Sequence, residues 1–242
     1  MRYSKAPVQE AIIDLRLTQS SHINVENILA FSERFRAEGC EVEPIVDEKI
    51  EFQTGETPSI EHAVTTKGVR IHNHNTRTVC FAEPEKFVFS LSYPYESWEV
   101  FSEQARRFWG MYLEATDVQN VTRVALRYIN KFDFEADEAM EIEDYFQTYP
   151  KLSLEYEHKQ IGGVFMQLEL NQPDLDAVLI LNQVRVEPPT ANHVSIILDL
   201  DLFSRNALLT PNEAWDKLSD FRVRKNQIFN ASISEKAREQ IS

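Results

Sequence analysis

The chain has 242 residues, with 25 Lys and Arg against 39 Asp and Glu, a formal net charge of −14 and an isoelectric point near 4.9. That balance disfavours direct nucleic-acid binding, which needs a basic surface to neutralise phosphates. Hydrophobic residues make up 43%, too many for a disordered chain, and no apolar run approaches the roughly 18 residues of a membrane span. Cys40 and Cys80 are the two cysteines, and no basic start is followed by an apolar run of signal-peptide length, so a cytoplasmic protein with free thiols is expected.

Val8 to Leu17 alternates, with Ala11, Ile13, Leu15 and Leu17 on one side and Ile12, Asp14 and Arg16 on the other, which predicts a half-buried strand. From Asn24 the apolar spacing becomes helical until Gly39 stops it. Residues 38–61 carry eight acids and one Lys and are expected mostly on the surface, with a short strand near Lys49 to Gln53. Three alternating runs, near Val69 to His74, Thr78 to Phe81 and Phe87 to Tyr93, predict an antiparallel meander. Pro94 then opens a helix to Glu114, with Trp98, Phe101, Ala105, Phe108, Trp109 and Tyr112 on one face.

Val121 to Phe134 reads as a long strand, followed by a short acidic helix near Ile142 to Thr148 and strands at Val164 to Leu170, Val178 to Val186 and Val194 to Leu202. Thr210-Pro211-Asn212-Glu213 spells a capping box for a final helix. The fold class expected is α+β, a curved and mainly antiparallel sheet packed on two long helices. Each half, 1–120 and 121–242, reads strand, helix, three or more strands, helix, so two similar halves of one continuous unit are expected on topology.

Four stretches share a further feature. Ala6-Pro7-Val8-Gln9-Glu10-Ala11, the Trp-containing helix, Arg123-Val124-Ala125-Leu126-Arg127-Tyr128-Ile129-Asn130 and Lys225-Asn226-Gln227-Ile228-Phe229-Asn230-Ala231-Ser232-Ile233 occur in that order. Together they resemble a sporadically distributed bacterial protein family of about this length, which is defined by sequence and has no established activity. The resemblance implies a bacterial or phage-associated cytoplasmic protein with an accessory role, such as defence or toxin immunity, and it transfers no catalytic residue.

Strand parity offers one candidate site. Arg123 and Arg127 share the charged side of the central strand, and Asp14, Arg16, Gln167, Glu169, Arg185, Asp199 and Asp201 are the polar side of others. The candidate ligand groove is Arg123, Arg127, Glu169, Arg185, Asp199 and Asp201; the ordinary alternative is a solvated sheet face with cross-strand ion pairs. Asp199 and Asp201 with Glu169 would suit a divalent cation, but acids alternating with Leu198, Leu200 and Leu202 also describe any half-buried strand. Glu155-Tyr156-Glu157-His158-Lys159 resembles the E-x-E-x-K pattern of triphosphate-tunnel enzymes, yet it falls late in the chain and too few bases accompany it. A surface strand or loop is expected there.

His72 and His74 set two imidazoles on one strand face, and no companion spacing supplies a third ligand, so a polar strand near a turn is expected. Ser195 and Ser204 lack a recognisable His partner, and neither cysteine has a nucleophile or redox context. No metal and no cofactor is therefore expected. Arg222, Arg224 and Lys225 read as complements to a helix C-terminus or as one side of a dimer contact.

The acidity is localised. Residues 38–61 and 133–144 each carry a net −7, which together equal the whole excess. The function expected is a non-enzymatic protein-binding or adaptor module whose acidic patches meet a basic partner, or that self-associates. The alternative is a metal- or nucleotide-dependent enzyme acting on phosphate esters through the charged sheet face.

Overall fold

In the computed structural model, which describes residues 3–18, 25–53, 59–116, 118–135, 141–151, 153, 155, 162–190, 192–204 and 208–242, the regular alternation of β1 (Val8–Leu17) sends Ala11, Ile13, Leu15 and Leu17 into the core. The chain continues through α1 (Val25–Ala37), β2 (Glu41–Gln53), β3 (Ser59–Asn73), β4 (Thr78–Glu83), β5 (Lys86–Ser92) and α2 (Trp98–Thr116). It then forms β6 (Val121–Glu135), β7 (Phe165–Gln172), β8 (Ala177–Val186), β9 (His193–Ser204), α3 (Pro211–Ser232) and α4 (Glu235–Ile241). The strands make one open, wholly antiparallel sheet in the order β2-β3-β4-β5-β1-β6-β9-β8-β7. The fold is α+β, and among the described residues no helix is long and apolar enough to cross a membrane.

The first strands of the two sequence halves, β1 and β6, pair at the centre, so every strand before β6 lies to one side of that seam and every later strand to the other. The helices cover a single face. α2 sends Phe101, Phe108, Trp109 and Tyr112 against Phe87 and Phe89 of β5, and α1 stacks Phe35 on Phe108 with ring centroids 4.1 Å apart. α3 lays Phe229 along Phe132 of β6. At roughly 1.5–3 kcal/mol for each large apolar side chain taken from water, this aromatic layer dominates the packing. Cys40 and Cys80 are free and buried in the same core.

Local chemistry explains where the elements begin. Thr210 accepts from the Glu213 N–H while the Glu213 carboxylate accepts from the Thr210 N–H, the capping box anticipated from sequence. Pro94 does not open α2: the Tyr93–Pro94 bond is cis, and the helix starts at Trp98, with Ser97 Oγ accepting from the Val100 N–H at 3.3 Å. The acidic helix anticipated near Ile142 is a single 3-10 turn, Ile142–Asp144. The pentapeptide at 155–159 lies, Glu155 apart, outside the described residues.

The acidic segment after Gly39 departs most from expectation. β2 spans 13 residues and β3 spans 15, yet β3 pairs with β4 only from Val69 to Asn73, so the remainder is a two-stranded ribbon projecting from the sheet edge. Val46, Ile50 and Val64 are exposed along it. Where the ribbon joins the sheet the register shifts, Ile45 facing Gly68 and Val46 facing Thr66. Gly68 is required there: a Cβ would lie 2.2 Å from the Ala82 carbonyl oxygen. Gly68→Ala is expected to destabilise the protein by about 1–3 kcal/mol, measured by urea denaturation; an unchanged midpoint would show that the close approach does not constrain the junction.

Candidate functional site

The register places most of the anticipated groove on the sheet face opposite the helices. Asp201 pairs with Arg127, which pairs with Ile12, while Arg16 faces Arg123 and Asp14 faces Ala125. Arg127 grips Asp199 with two hydrogen bonds, 2.8 Å from Nε to Oδ1 and 2.7 Å from Nη2 to Oδ2. Asn182 donates to the same Asp199 at 3.0 Å and receives Gln167 at 2.8 Å. Asp14 is held by Arg16 at 3.0 Å and approached by Arg123 at 3.4 Å. Burial pushes the Asp201 carboxyl above the usual carboxylate range despite the pull of Arg123 and Arg127.

This is a self-neutralised network: Arg16, Arg123 and Arg127 balance Asp14, Asp199 and Asp201. Asp199 is 5% exposed and has its carboxylate occupied by Arg127 and Asn182, so the proposed Asp199, Asp201 and Glu169 cation site is not formed. Glu169 faces Ile180, which faces Asp201, putting it two strands from that carboxylate, about 9–10 Å away. Arg185 is misplaced in the groove altogether. It pairs with Ile196, whose partner is Phe132 of the core, so Arg185 lies on the helix-covered side of the sheet at an exposed strand end. Sequence parity could not align β8 with β6 without the register, and a one-residue slip exchanges faces.

The basic cluster of α3 also disperses. All three residues lie within α3, which runs to Ser232, rather than at its end. Arg222 pairs with Glu99 at 2.9 Å, and Arg224 pairs with Asp174 and Gln172. Lys225 turns inward: it is 8% exposed, and its Nζ lies 3.6 Å from the centre of the Tyr128 ring. Among the described residues Lys225 has neither an ion pair nor a hydrogen bond.

Lys225 opens onto a cavity of about 200 Å³. Tyr128 and Asn130 of β6 form its floor, Arg222, Lys225, Phe229 and Asn230 of α3 one wall, Tyr95 to Glu99 another, and Tyr3 with Ala6, Pro7 and Val8 the third. Its polar groups are held in place, mostly by one another. The Tyr95 and Tyr128 hydroxyls hydrogen-bond at 3.0 Å, Tyr3 donates to Asn230 Oδ1 at 2.6 Å, and Asn130 Nδ2 donates to the Leu198 carbonyl at 3.0 Å. Burial raises Tyr95 to about 12, so this phenol keeps its proton at neutral pH.

Burial, and secondarily the Arg222 charge, lower Lys225 to about 7. Glu96 and Glu99 line the same cavity, but no carboxylate of the described residues is among the causes of that shift. The cation–π contact with Tyr128 favours the ammonium by about 0.5–2 kcal/mol, less than a full ion pair would.

Residues from four separate stretches of the chain meet in this cavity: Ala6 to Val8, Trp98, Tyr128 with Asn130, and Lys225, Asn226, Phe229 and Asn230. Comparison with protein-family models and with curated protein sequences finds no match. The position of Lys225 was detectable in principle, since Leu218, Phe221, Lys225, Phe229 and Ser232 recur at steps of three and four, all buried. A lysine inside an apolar helical stripe is the signal.

The outer network and the cavity are separable by mutation. Arg127→Met leaves buried Asp199 with Asn182 alone and is expected to cost about 3 kcal/mol. Adding Asp199→Leu should return much of the loss, giving a coupling of about 1–3 kcal/mol in a double-mutant cycle read by urea denaturation. Additive effects would mean the pair is not a unit.

Proposed function

We propose that the protein binds a small anionic ligand, one bearing a carboxylate or phosphate group, in the cavity beneath α3, with Lys225 as the group that receives the negative charge. The observation that carries this reading is an amine nearly removed from water without a carboxylate or hydrogen-bond partner among the described residues. Buried cations in proteins are paired, and a ligand anion would supply the missing charge. Arg222 stands at the same cavity, its own charge held by Glu99. Trp98 and Phe229 supply apolar walls, and a cavity of this size suits a compact molecule.

Near neutrality the amine is divided between its charged and uncharged forms. Binding an anion raises its affinity for a proton, so binding should take up a proton and weaken as pH rises above about 7. Titrating the protein with inorganic phosphate and with succinate, read by tryptophan fluorescence, should show at least one binding more tightly at pH 6.5 than at 8.5. Lys225→Met should abolish the response. Binding by neither anion, or binding unaffected by Lys225→Met, would contradict the assignment.

Stability carries a second test that needs no ligand. The folded state releases the Lys225 proton near pH 7 and the unfolded state near the ordinary 10.5. Below pH 7 both states hold the proton; between pH 7 and 10.5 the unfolded state holds more. Lys225 therefore makes unfolding free energy rise with pH across that window, by at most about 1.4 kcal/mol per pH unit. Lys225→Met should remove this rise and be more stable than the parent at pH 6, by urea denaturation; parallel profiles would sink the assignment.

A second reading, binding of a basic protein partner, is favoured by the ribbon. It concentrates Glu41, Glu43, Asp47 and Glu48 beside exposed Val46, Ile50 and Val64 on strands with an unpaired edge. Such association should weaken with added salt. The seam between β1 and β6 also supports the reading of two similar halves, because β5 and β9 flank it on opposite sides, each followed in the chain by a long helix.

A further inference from the structure

A different group of side chains lies at the foot of the ribbon, away from the cavity. β3 ends in Ile71-His72-Asn73, and His74 follows immediately. Two residues apart, His72 and His74 project to the same side, with ring centroids 3.8 Å apart. Glu41, the first residue of β2, is the direct cross-strand partner of His72. Its Oε2 lies 3.0 Å from His74 Nε2 and 3.8 Å from His72 Nδ1. One donor atom from each of the three residues falls within 4.8 Å of the others.

That spacing has a chemical meaning. Nitrogen and oxygen donors lie about 2.0–2.1 Å from Zn²⁺, so neighbouring donors of a tetrahedral site are about 3.3–3.5 Å apart. The triad is close to that size, and shifts of about an ångström in side chains at an exposed edge would close it. Both imidazole nitrogens approach the same carboxylate oxygen, whereas a plain surface ion pair needs one. The next acid along β2, Glu43, is taken by Arg70 at 2.7 Å, which leaves Glu41 to the histidines. Sequence spacing missed this third ligand because it comes from 31 residues upstream, brought opposite His72 by the β2–β3 register.

We propose that Glu41, His72 and His74 bind one divalent transition-metal ion of the Zn²⁺ type, with the fourth position open to water or to a side chain of another molecule. Two imidazoles and one carboxylate suit Zn²⁺, Co²⁺ or Ni²⁺ rather than Mg²⁺ or Ca²⁺, which prefer oxygen donors. The ion would clamp the start of β2 to the end of β3. It would fix the ribbon at its root and add a positive charge to an acidic edge.

The test uses the full-length chain without an affinity tag, stripped with chelator and titrated with ZnCl₂ by isothermal calorimetry. Co²⁺ provides the spectroscopic check, through the visible absorption of four-coordinate cobalt. One ion per chain is expected. His72→Ala and His74→Ala should each weaken binding by more than about 100-fold, beyond the loss from an outer-shell partner. Glu41→Gln should weaken it with the fold retained by circular dichroism, and His62→Ala, on the same strand, should leave it unchanged. Absence of saturable uptake, or equal uptake by the His72→Ala/His74→Ala double variant, would overturn the proposal.

Discussion

Strand β6 has two chemistries because its side chains alternate. Arg123, Arg127 and Lys131 leave the sheet on the helix-free face, while Leu126, Tyr128, Asn130 and Phe132 enter the face covered by helices. β6 lies at the seam of a nine-stranded sheet and pairs with β1 on one side and β9 on the other. Its register fixes both outcomes at once. The outward set pairs with Asp14, Asp199 and Asp133; the inward set forms the floor under α3. A one-residue slip would put arginines into the aromatic core, so the core packing and the cavity depend on this pairing.

Cost separates the two faces as places for function. On the helix-free face Arg16 and Arg123 meet Asp14, Arg127 meets Asp199 and Lys131 meets Asp133, and Asp199 alone accepts three hydrogen bonds. Such a network fixes geometry and has little left for a ligand. Under α3 the reverse holds. Lys225 bears the penalty of burial, with Tyr128 its cation–π contact and no acid among the causes of its shift. A strongly desolvated group facing a cleft is a candidate functional position, and the proposed anion site rests on it. The N-terminal segment reinforces the enclosure, because the Lys5 N–H bonds the Ile241 carbonyl at 3.0 Å and Tyr3 reaches Asn230.

Much of the architecture was legible in the residues. β1 follows its alternation from Ala11 to Leu17, and the capping box at Thr210 is realised atom for atom. The ribbon was legible only in part. Its alternation sets acids against Val and Ile on strands with little core to face, so charge obscured a strand of 13 residues. Among site residues, Arg123, Arg127, Asp199 and Asp201 do gather, because strand parity within β6 and β9 is unambiguous. Arg185 and Glu169 do not, since each needed a cross-strand register that no local pattern encodes. Lys225 was hidden by its company: beside Arg222 and Arg224 it resembled one more surface base, although the helical step places it with Phe221 and Phe229.

The decisive quantity is the proton affinity of one amine. With the side chain of Lys225 labelled and assigned through Lys225→Met, a ¹³C-detected pH titration of its ε-carbon reads that affinity in the folded protein. A midpoint near 7, against 10.5 for an ordinary lysine, is the result predicted for an ammonium buried without a counter-charge. A midpoint near 10 would contradict it, and would mean that Lys225 is already paired or solvated.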